Sequence, residues 1–353
     1  VGSISNITIL EITDDTNLPR IDYTGGEGHW LFEPQSTNFT TQSDNKNDIN
    51  PSFINGTYIP DVSVITPDNS NTAYKFTPNQ LGQSVEGASS GTNNRLFFEY
   101  SGINTTYTNS VYVKSVSGNT FNFSIKVINR VSDTEISSKT ILVTDVWKRV
   151  DITGLVNGSN SGVRFGIKSQ QAVNLWGFQI EQNSFSTSYI PTEGSIKTRL
   201  ADVASGAGSS DLINSTEGVL YAEIAALADE GHRYISLSDG STSNRVTIEL
   251  YPAPNIIVSR LTSNNVEQSF LVATNINKEN YNKIAIKYKE NYCSLWVNGV
   301  EISTDTSVVT PIGLSELAFD NGNGNSDFYG KVKTVAVFKE ALTDAELTCL
   351  TTI

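Results

Sequence analysis

The sequence predicts an all-β protein built as two antiparallel β-sandwich (jelly-roll) domains in series, with a short C-terminal helix. Three observations carry that prediction. Charged residues are 17% and hydrophobic ones 38% of 353, and the excess lies in Asn, Ser, Thr and Gly, a balance that suits strands and polar loops better than helix surfaces. Apolar residues recur with period two in many short runs, the pattern of strands with one buried and one wet face. A Gly/Ser/Ala-rich stretch, Ala204 to Ser210, divides two sets of such runs.

The elements follow in chain order. Residues 1–34 carry Pro19, Gly25, Gly26 and Gly28 between short apolar runs, and read as an extended arm or connector leading into the first domain. Residues 35–195 form the first sandwich. Phe121, Phe123, Ile125 and Val127 alternate with Asn122, Ser124 and Lys126, and the same beat appears at Val111/Val113 and Val163/Phe165/Ile167. Ser117-Gly118-Asn119 and Asn157-Gly158 supply turns. Residues 196–211 read as a linker too poor in large apolar side chains to form a core.

The second domain spans 212–353, with strands expected at 218–224, 245–251, 283–288, 293–297 and 331–338. Asn298-Gly299 separates Leu295-Trp-Val297 from Val300-Glu-Ile302, and both residues tolerate the positive φ of a type I′ hairpin turn. Thr343-Asp-Ala-Glu346 is a capping box that starts a short helix.

Composition also excludes. A net charge of −13 with no Lys/Arg cluster repels a phosphate backbone, so nucleic acid is not an expected partner. No apolar run is long enough to cross a bilayer as a helix, and Val1 to Leu10 lacks the pattern of a signal peptide; no membrane insertion is expected. The absence of methionine, position 1 included, suggests a mature or trimmed fragment. Cys293 keeps step with Leu295 and Val297, which favours a buried free thiol over a bridge to Cys349.

Particular segments resemble known families. Tyr112-Val-Lys114, Phe121 to Val127, Val146-Trp-Lys-Arg-Val150 and Trp176-Gly-Phe-Gln-Ile-Glu181 resemble the jelly-roll carbohydrate-binding modules of the four/nine type. Pro19-Arg-Ile-Asp-Tyr23, Leu31-Phe-Glu-Pro-Gln35 and Thr37-Asn38, with Thr187-Ser-Tyr-Ile-Pro-Thr192, are similar to a recurring arrangement in bacteriophage tail and fibre proteins. Leu295-Trp-Val-Asn-Gly299, Phe328-Tyr-Gly-Lys-Val332 and Ala341 to Leu347 resemble concanavalin A-like or laminin G-like sandwiches. The resemblances imply two lectin-like folds on a virion protein, folds that host many functions.

Sugar recognition sets aromatic rings against the apolar face of a pyranose, flanked by polar groups for its hydroxyls. Trp296 is the first candidate, because it points away from the core set Cys293, Leu295 and Val297; the alternative is that a loop or another subunit covers it. Tyr251, before Pro252 at a strand end, and Tyr58 and Tyr107, read as lying in polar loops, either line a groove or are ordinary half-buried tyrosines. Trp147 and Trp176 are assigned to the core. Asp320, Asn325 and Asp327, within Asp320-Asn-Gly-Asn-Gly-Asn-Ser-Asp327, offer oxygen ligands to a structural calcium, or simply form a polar hairpin loop.

His29 and His232, the only histidines, stand beside no nucleophile motif, and no strand carries paired glycosidase carboxylates; enzyme activity is not expected. Asn38, Asn55, Asn104 and Asn122 open Asn-x-Ser/Thr triplets, read as chance products of the composition. The function expected is a virion surface protein, a tail or head fibre segment binding host-surface polysaccharide as a homo-oligomer, such as a trimer, alongside other virion proteins. The rivals are a structural capsid-decoration or spacer role, and the non-catalytic carbohydrate-binding part of a secreted bacterial polysaccharide-degrading enzyme.

Overall fold

In the computed structural model, residues 20–23, 26–41, 43, 56–79, 95–100, 105–129, 132, 134–156, 163–228 and 231–353 are described. Residues 1–19 of the expected arm, the Asn157-Gly158 turn, and Asn55 and Asn104 lie outside them. The chain forms two compact units, one of residues 35–200 and the other of 1–34 together with 201–353. The second unit is therefore discontinuous in sequence.

The strands before and within the 35–200 unit are β1 (Arg20–Asp22), β2 (His29–Phe32), β3 (Ser36–Asn38), β4 (Gly56–Pro60), β5 (Tyr74–Pro78), β6 (Arg95–Tyr100), β7 (Thr105–Ser115), β8 (Phe121–Asn129), β9 (Glu135–Val143), β10 (Lys148–Val156), β11 (Val163–Ser169), β12 (Val173–Glu181) and β13 (Lys197–Arg199). A five-stranded sheet in the order β10-β7-β12-β5-β4 and a four-stranded sheet β6-β11-β8-β9 make the sandwich. Every pairing is antiparallel. The alternation read at Phe121 to Val127 holds: those four apolar side chains join Val111, Val113, Phe165 and Ile167 in one core. Trp176 is buried as assigned, but Trp147 is only half-buried, just before β10, with its indole N–H donating to the Ile65 carbonyl at 2.8 Å.

The segment 36–43 is sewn to 176–194 by buried polar side chains. The Asn38 amide donates to the carbonyls of Phe178 (3.2 Å) and Ile190 (2.9 Å), while its oxygen accepts from the Thr40 amide and hydroxyl and from the Ile180 amide. Full burial of Asn38 also removes it as a glycan acceptor. Gln179 accepts from the Ile190 amide at 2.6 Å and donates to the Thr187 and Ser188 carbonyls. Between Trp176 and Gln179 the register with β7 slips. Gly177, at φ +67, makes the slip possible: an added Cβ would stand 3.1 Å from the Tyr112 ring and 3.4 Å from Tyr189, the rings that flank Trp176.

The other unit continues with β14 (Glu217–Ala226), β15 (Arg233–Ser238), β16 (Arg245–Leu250), β17 (Ile256–Ser263), β18 (Val266–Thr274), β19 (Asn282–Lys289), β20 (Tyr292–Val297), β21 (Val300–Asp305), β22 (Glu316–Ala318), β23 (Gly330–Phe338) and helix α1 (Asp344–Thr351). A seven-stranded sheet β1-β2-β23-β14-β19-β20-β21 faces a five-stranded sheet β18-β17-β16-β15-β22. Cys293, Leu295 and Val297 lie in the core between them, and Cys293 is a free thiol pushed up to about 12 by burial. The Asn298-Gly299 turn has φ of 51° and 86°, as a type I′ hairpin requires. Thr343 and Glu346 form the capping box.

Two expectations need correction. The described part of the N-terminal segment is not a connector into the first sandwich: β1 and β2 extend the seven-stranded sheet through β2–β23 pairing. Phe32 is in that core, stacked on Phe319 at 4.5 Å and edge-on to Phe328 at 6.1 Å. Pairing satisfies the backbone groups that β23 would otherwise leave open, and Arg20 fixes the hairpin by ion pairs to Glu33 (2.6 Å) and Asp202 (2.9 Å). Nor is 196–211 a free linker. Lys197–Arg199 pairs with Ser36–Asn38 as a two-stranded sheet, and Ala207 bridges Leu317; main-chain pairing needs no large side chains.

The helix packs Leu347 with Val219, Tyr221, Ala285 and Trp296 in a second apolar cluster. Leu347→Ala leaves a cavity there and is expected to lower stability by about 2–5 kcal/mol, checked by urea denaturation. In the other sandwich, Asn38→Ala strands several buried backbone groups, and a loss of about 3 kcal/mol is expected at constant m-value.

Candidate functional site

Three of the four aromatic candidates are inaccessible. Trp296 is 5% exposed; it does point away from the main core, but the C-terminal helix covers it, and its indole N–H donates to the Ser294 hydroxyl at 3.1 Å. Tyr58 is buried and stacked on Tyr74 at 4.9 Å, and burial drives its phenol well above its ordinary value. Tyr107 lies in the core of the same sandwich. Both tyrosines sit on inward positions of strands, not in loops, which polar neighbours such as Thr105, Thr106 and Thr108 concealed.

Tyr251 is half-buried at the end of β16, and it leads to the most densely functionalised surface of the unit. On β15, β16 and β17 the inward positions belong to Ile235, Leu237, Val246, Ile248, Leu250, Ile257 and Leu261. The alternate positions therefore share the outward face. Register sets Tyr234 opposite Glu249, and Ser236, Thr247, Arg260 and Phe270 in one cross-strand row.

At its centre Glu249 is fully buried and is met by three donors. His232 Nδ1 stands 2.5 Å from Oε1, the Tyr234 hydroxyl donates to the same oxygen at 2.9 Å, and Arg260 Nη2 reaches Oε2 at 3.4 Å. Arg260 also pairs with Glu267 and lies over the Phe270 ring, 4.6 Å from its centroid. Burial draws the Arg260 guanidinium down, but Glu249 and Glu267 outweigh it and hold it above its ordinary value. Burial, then the Glu249 charge, pushes the Tyr234 phenol up. Arg260 is thus held between two carboxylates.

The exposed margin of this cluster is aromatic. Phe270 is 42% exposed and the His232 side chain 46%, and Tyr251 meets the imidazole edge-on at 5.4 Å. The turn carrying Tyr251 is anchored by the buried Lys278, whose ammonium donates to the carbonyls of Tyr251 and Ala253. Ring surfaces beside a fixed guanidinium and carboxylate are the ingredients of polar-ligand recognition. His232, Tyr234, Glu249, Arg260 and Phe270 escaped the sequence reading because four strands, β15 to β18, must pair before they meet. The available signal was Arg245-Val-Thr-Ile-Glu-Leu250, whose outward positions carry charge.

The expected calcium loop is a different case. Asp320 is buried and accepts from the Gly322 amide at 2.6 Å, Asn325 donates to Asn323, and Asp327 accepts from the Tyr329 hydroxyl at 3.1 Å. Each is committed within the loop, and among the described residues no three His, Cys, Asp or Glu side chains gather as a metal site. Calcium takes six to eight oxygens, backbone and Asn carbonyls among them, whereas the bonds made here are those of the loop itself. Of the two alternatives, the hydrogen bonding matches the polar hairpin loop.

The strand order and the cores define a protein of antiparallel β-sandwiches. Residues 220–348 match the family model described as the concanavalin A-like lectin/glucanases superfamily. No curated protein matches this chain. Similar solved structures include the CBM40 of the Ruminococcus gnavus IT-sialidase bound to α2,3-sialyllactose, at 15% identity and TM-score 0.35, covering 42% of this chain and 94% of that one. A SAP-like pentraxin from Limulus polyphemus has 10% identity and TM-score 0.33 over 41% and 72% of the two chains. The LG4-5 domains of mouse laminin α1 have 8% identity and TM-score 0.26 over 74% and 88%. At such scores the fold is read from the strand order, not from these neighbours.

Burial and the nearby Asp320 charge raise Asp327 above its usual range against the Tyr329 hydrogen bond. A carboxyl raised on folding binds its proton more tightly in the folded state, so its contribution is full below its ordinary pKa and is lost as pH climbs through the raised value. Asp327→Asn is expected to raise the melting temperature at neutral pH and to leave it unchanged in acid, read by calorimetry across pH.

Proposed function

We propose that the protein is a non-catalytic carbohydrate binder that engages host-surface polysaccharide through the outward face of β15–β18. The observation that carries this is Arg260, clamped between Glu249 and Glu267 and laid over the exposed Phe270 ring, with Tyr251 and His232 beyond. A sugar ring can lie on the aromatic margin while its hydroxyls meet the guanidinium and imidazole.

The setting we propose is the surface of a bacteriophage virion, in a tail or head fibre. The resemblance of Leu31-Phe-Glu-Pro-Gln35 and Thr187-Ser-Tyr-Ile-Pro-Thr192 to tail and fibre proteins supports it. Display as a homo-oligomer, such as a trimer, would raise avidity through effective concentration. The rival setting, a carbohydrate-binding part of a secreted polysaccharide-degrading enzyme, uses the same face and is distinguished by the neighbouring coding sequence.

Binding of the full chain to purified bacterial surface polysaccharides, measured by biolayer interferometry, tests the face. Phe270→Ala and Arg260→Ala are each expected to weaken binding about tenfold, a 1.4 kcal/mol effect, while circular dichroism stays unchanged. Equal binding by wild type and both variants would overturn the assignment.

A further inference from the structure

The geometry points to a second ligand site, in the 35–200 unit, that takes one uncharged sugar ring. It extends the carbohydrate reading but rests on residues that the β15–β18 face does not use. A cleft of about 180 Å³ opens between β3 and the turn after β12, lined by Gln35, Ser36, Thr37, Phe39, Gln182 and Asn183. At about 30 Å³ per water it holds about six waters, and it is smaller than the clefts of about 300–1,000 Å³ that enclose drug-sized ligands. The occupant is accordingly one ring rather than a chain.

The lining sets its chemistry. Five of the six side chains carry a neutral hydrogen-bonding group and the sixth is an aromatic ring, with no charge among them. The back of the cleft is fixed. Glu181, fully buried, accepts from the Ser36 hydroxyl at 2.6 Å, from the Thr187 amide at 3.0 Å and from the Thr187 hydroxyl. Asn183 in turn donates to the Ser36 hydroxyl at 2.9 Å. Phe39 is held edge-on to Tyr107, with ring centroids 6.2 Å apart, and its amide donates to the Ile180 carbonyl at 2.9 Å.

The front is uncommitted. Gln35 and Gln182 are exposed and have no hydrogen-bond partner among the described residues. Two open amides before a rigid ring and a prearranged hydroxyl–amide floor match the alternating donors and acceptors of a pyranose, whose C–H face suits Phe39. With no charged side chain in the lining, neither an anion nor a cation finds a counter-charge there. The ligand is therefore a neutral hexose or an N-acetylated one.

Saturation-transfer NMR on the full chain tests this with the methyl glycosides of glucose, galactose, N-acetylglucosamine and glucuronic acid as probes. At least one neutral glycoside is expected to bind, and the Gln35→Ala/Gln182→Ala double variant to weaken it about tenfold. Thr37→Trp, which fills the cleft, is expected to abolish the signal; should it fail to fold, the exposed glutamine pair still decides. Phe270→Ala should leave this signal intact. No binding by any neutral glycoside, or binding untouched by the glutamine pair, overturns the cleft site, as does equal binding of the glucuronide that those variants remove. A signal lost only in Phe270→Ala sinks the cleft while sustaining the β15–β18 face.

Discussion

The carboxamide of Asn38 is the interaction on which the 35–200 sandwich depends. One side chain makes five hydrogen bonds, to segments far apart in sequence, in a place where water has no access. Buried polar networks of this kind are stabilising only when complete. Gln179, Glu181, Ser43 and Thr192 complete this one, Ser43 and Thr192 through a reciprocal pair of amide-to-hydroxyl bonds at 2.9 and 2.8 Å. The segments 36–43 and 176–194 are therefore architectural. They hold the slip in β12 and fasten the 182–192 segment, and the Phe39 cleft is a by-product of that fastening.

The other unit follows a contrary rule on its two outer faces. On the seven-stranded sheet the outward apolar set, Val219, Tyr221, Ala285 and Trp296, is covered by α1. On the five-stranded sheet the corresponding positions hold Tyr234, Glu249, Thr247 and Arg260, which satisfy one another by charge and hydrogen bond. The apolar set is buried under a helix, whereas Tyr234, Thr247 and Glu249, buried as well, are satisfied within their own row.

Local chemistry was legible in the sequence and long-range coverage was not. Phe121 to Val127, the Asn298-Gly299 turn, the Thr343 cap and the buried Cys293 each depend on a few neighbouring residues, and all appear as read. Alternation correctly sent Trp296 away from the core, but what lies over it is fixed by a helix far along the chain. The same limit hid the β2–β23 pairing, since nothing near Trp30 reports on Val332. It also hid the Glu249 cluster, whose members are ordinary until register aligns them.

The path of the chain gives the β1–β2 hairpin an unusual history. It precedes the inserted sandwich, yet its partner strand and the rings that enclose Phe32 follow that sandwich in sequence. During synthesis, domains generally fold as units once their own residues are available, so the inserted sandwich can close while the hairpin is still waiting. Closure of that sandwich then brings the two points where the chain enters and leaves it together, through the pairing of Ser36–Asn38 with Lys197–Arg199. The insertion thereby acts as an internal splint. It shortens the effective loop between β2 and β23, and so lowers the closure cost of the sheet that joins them.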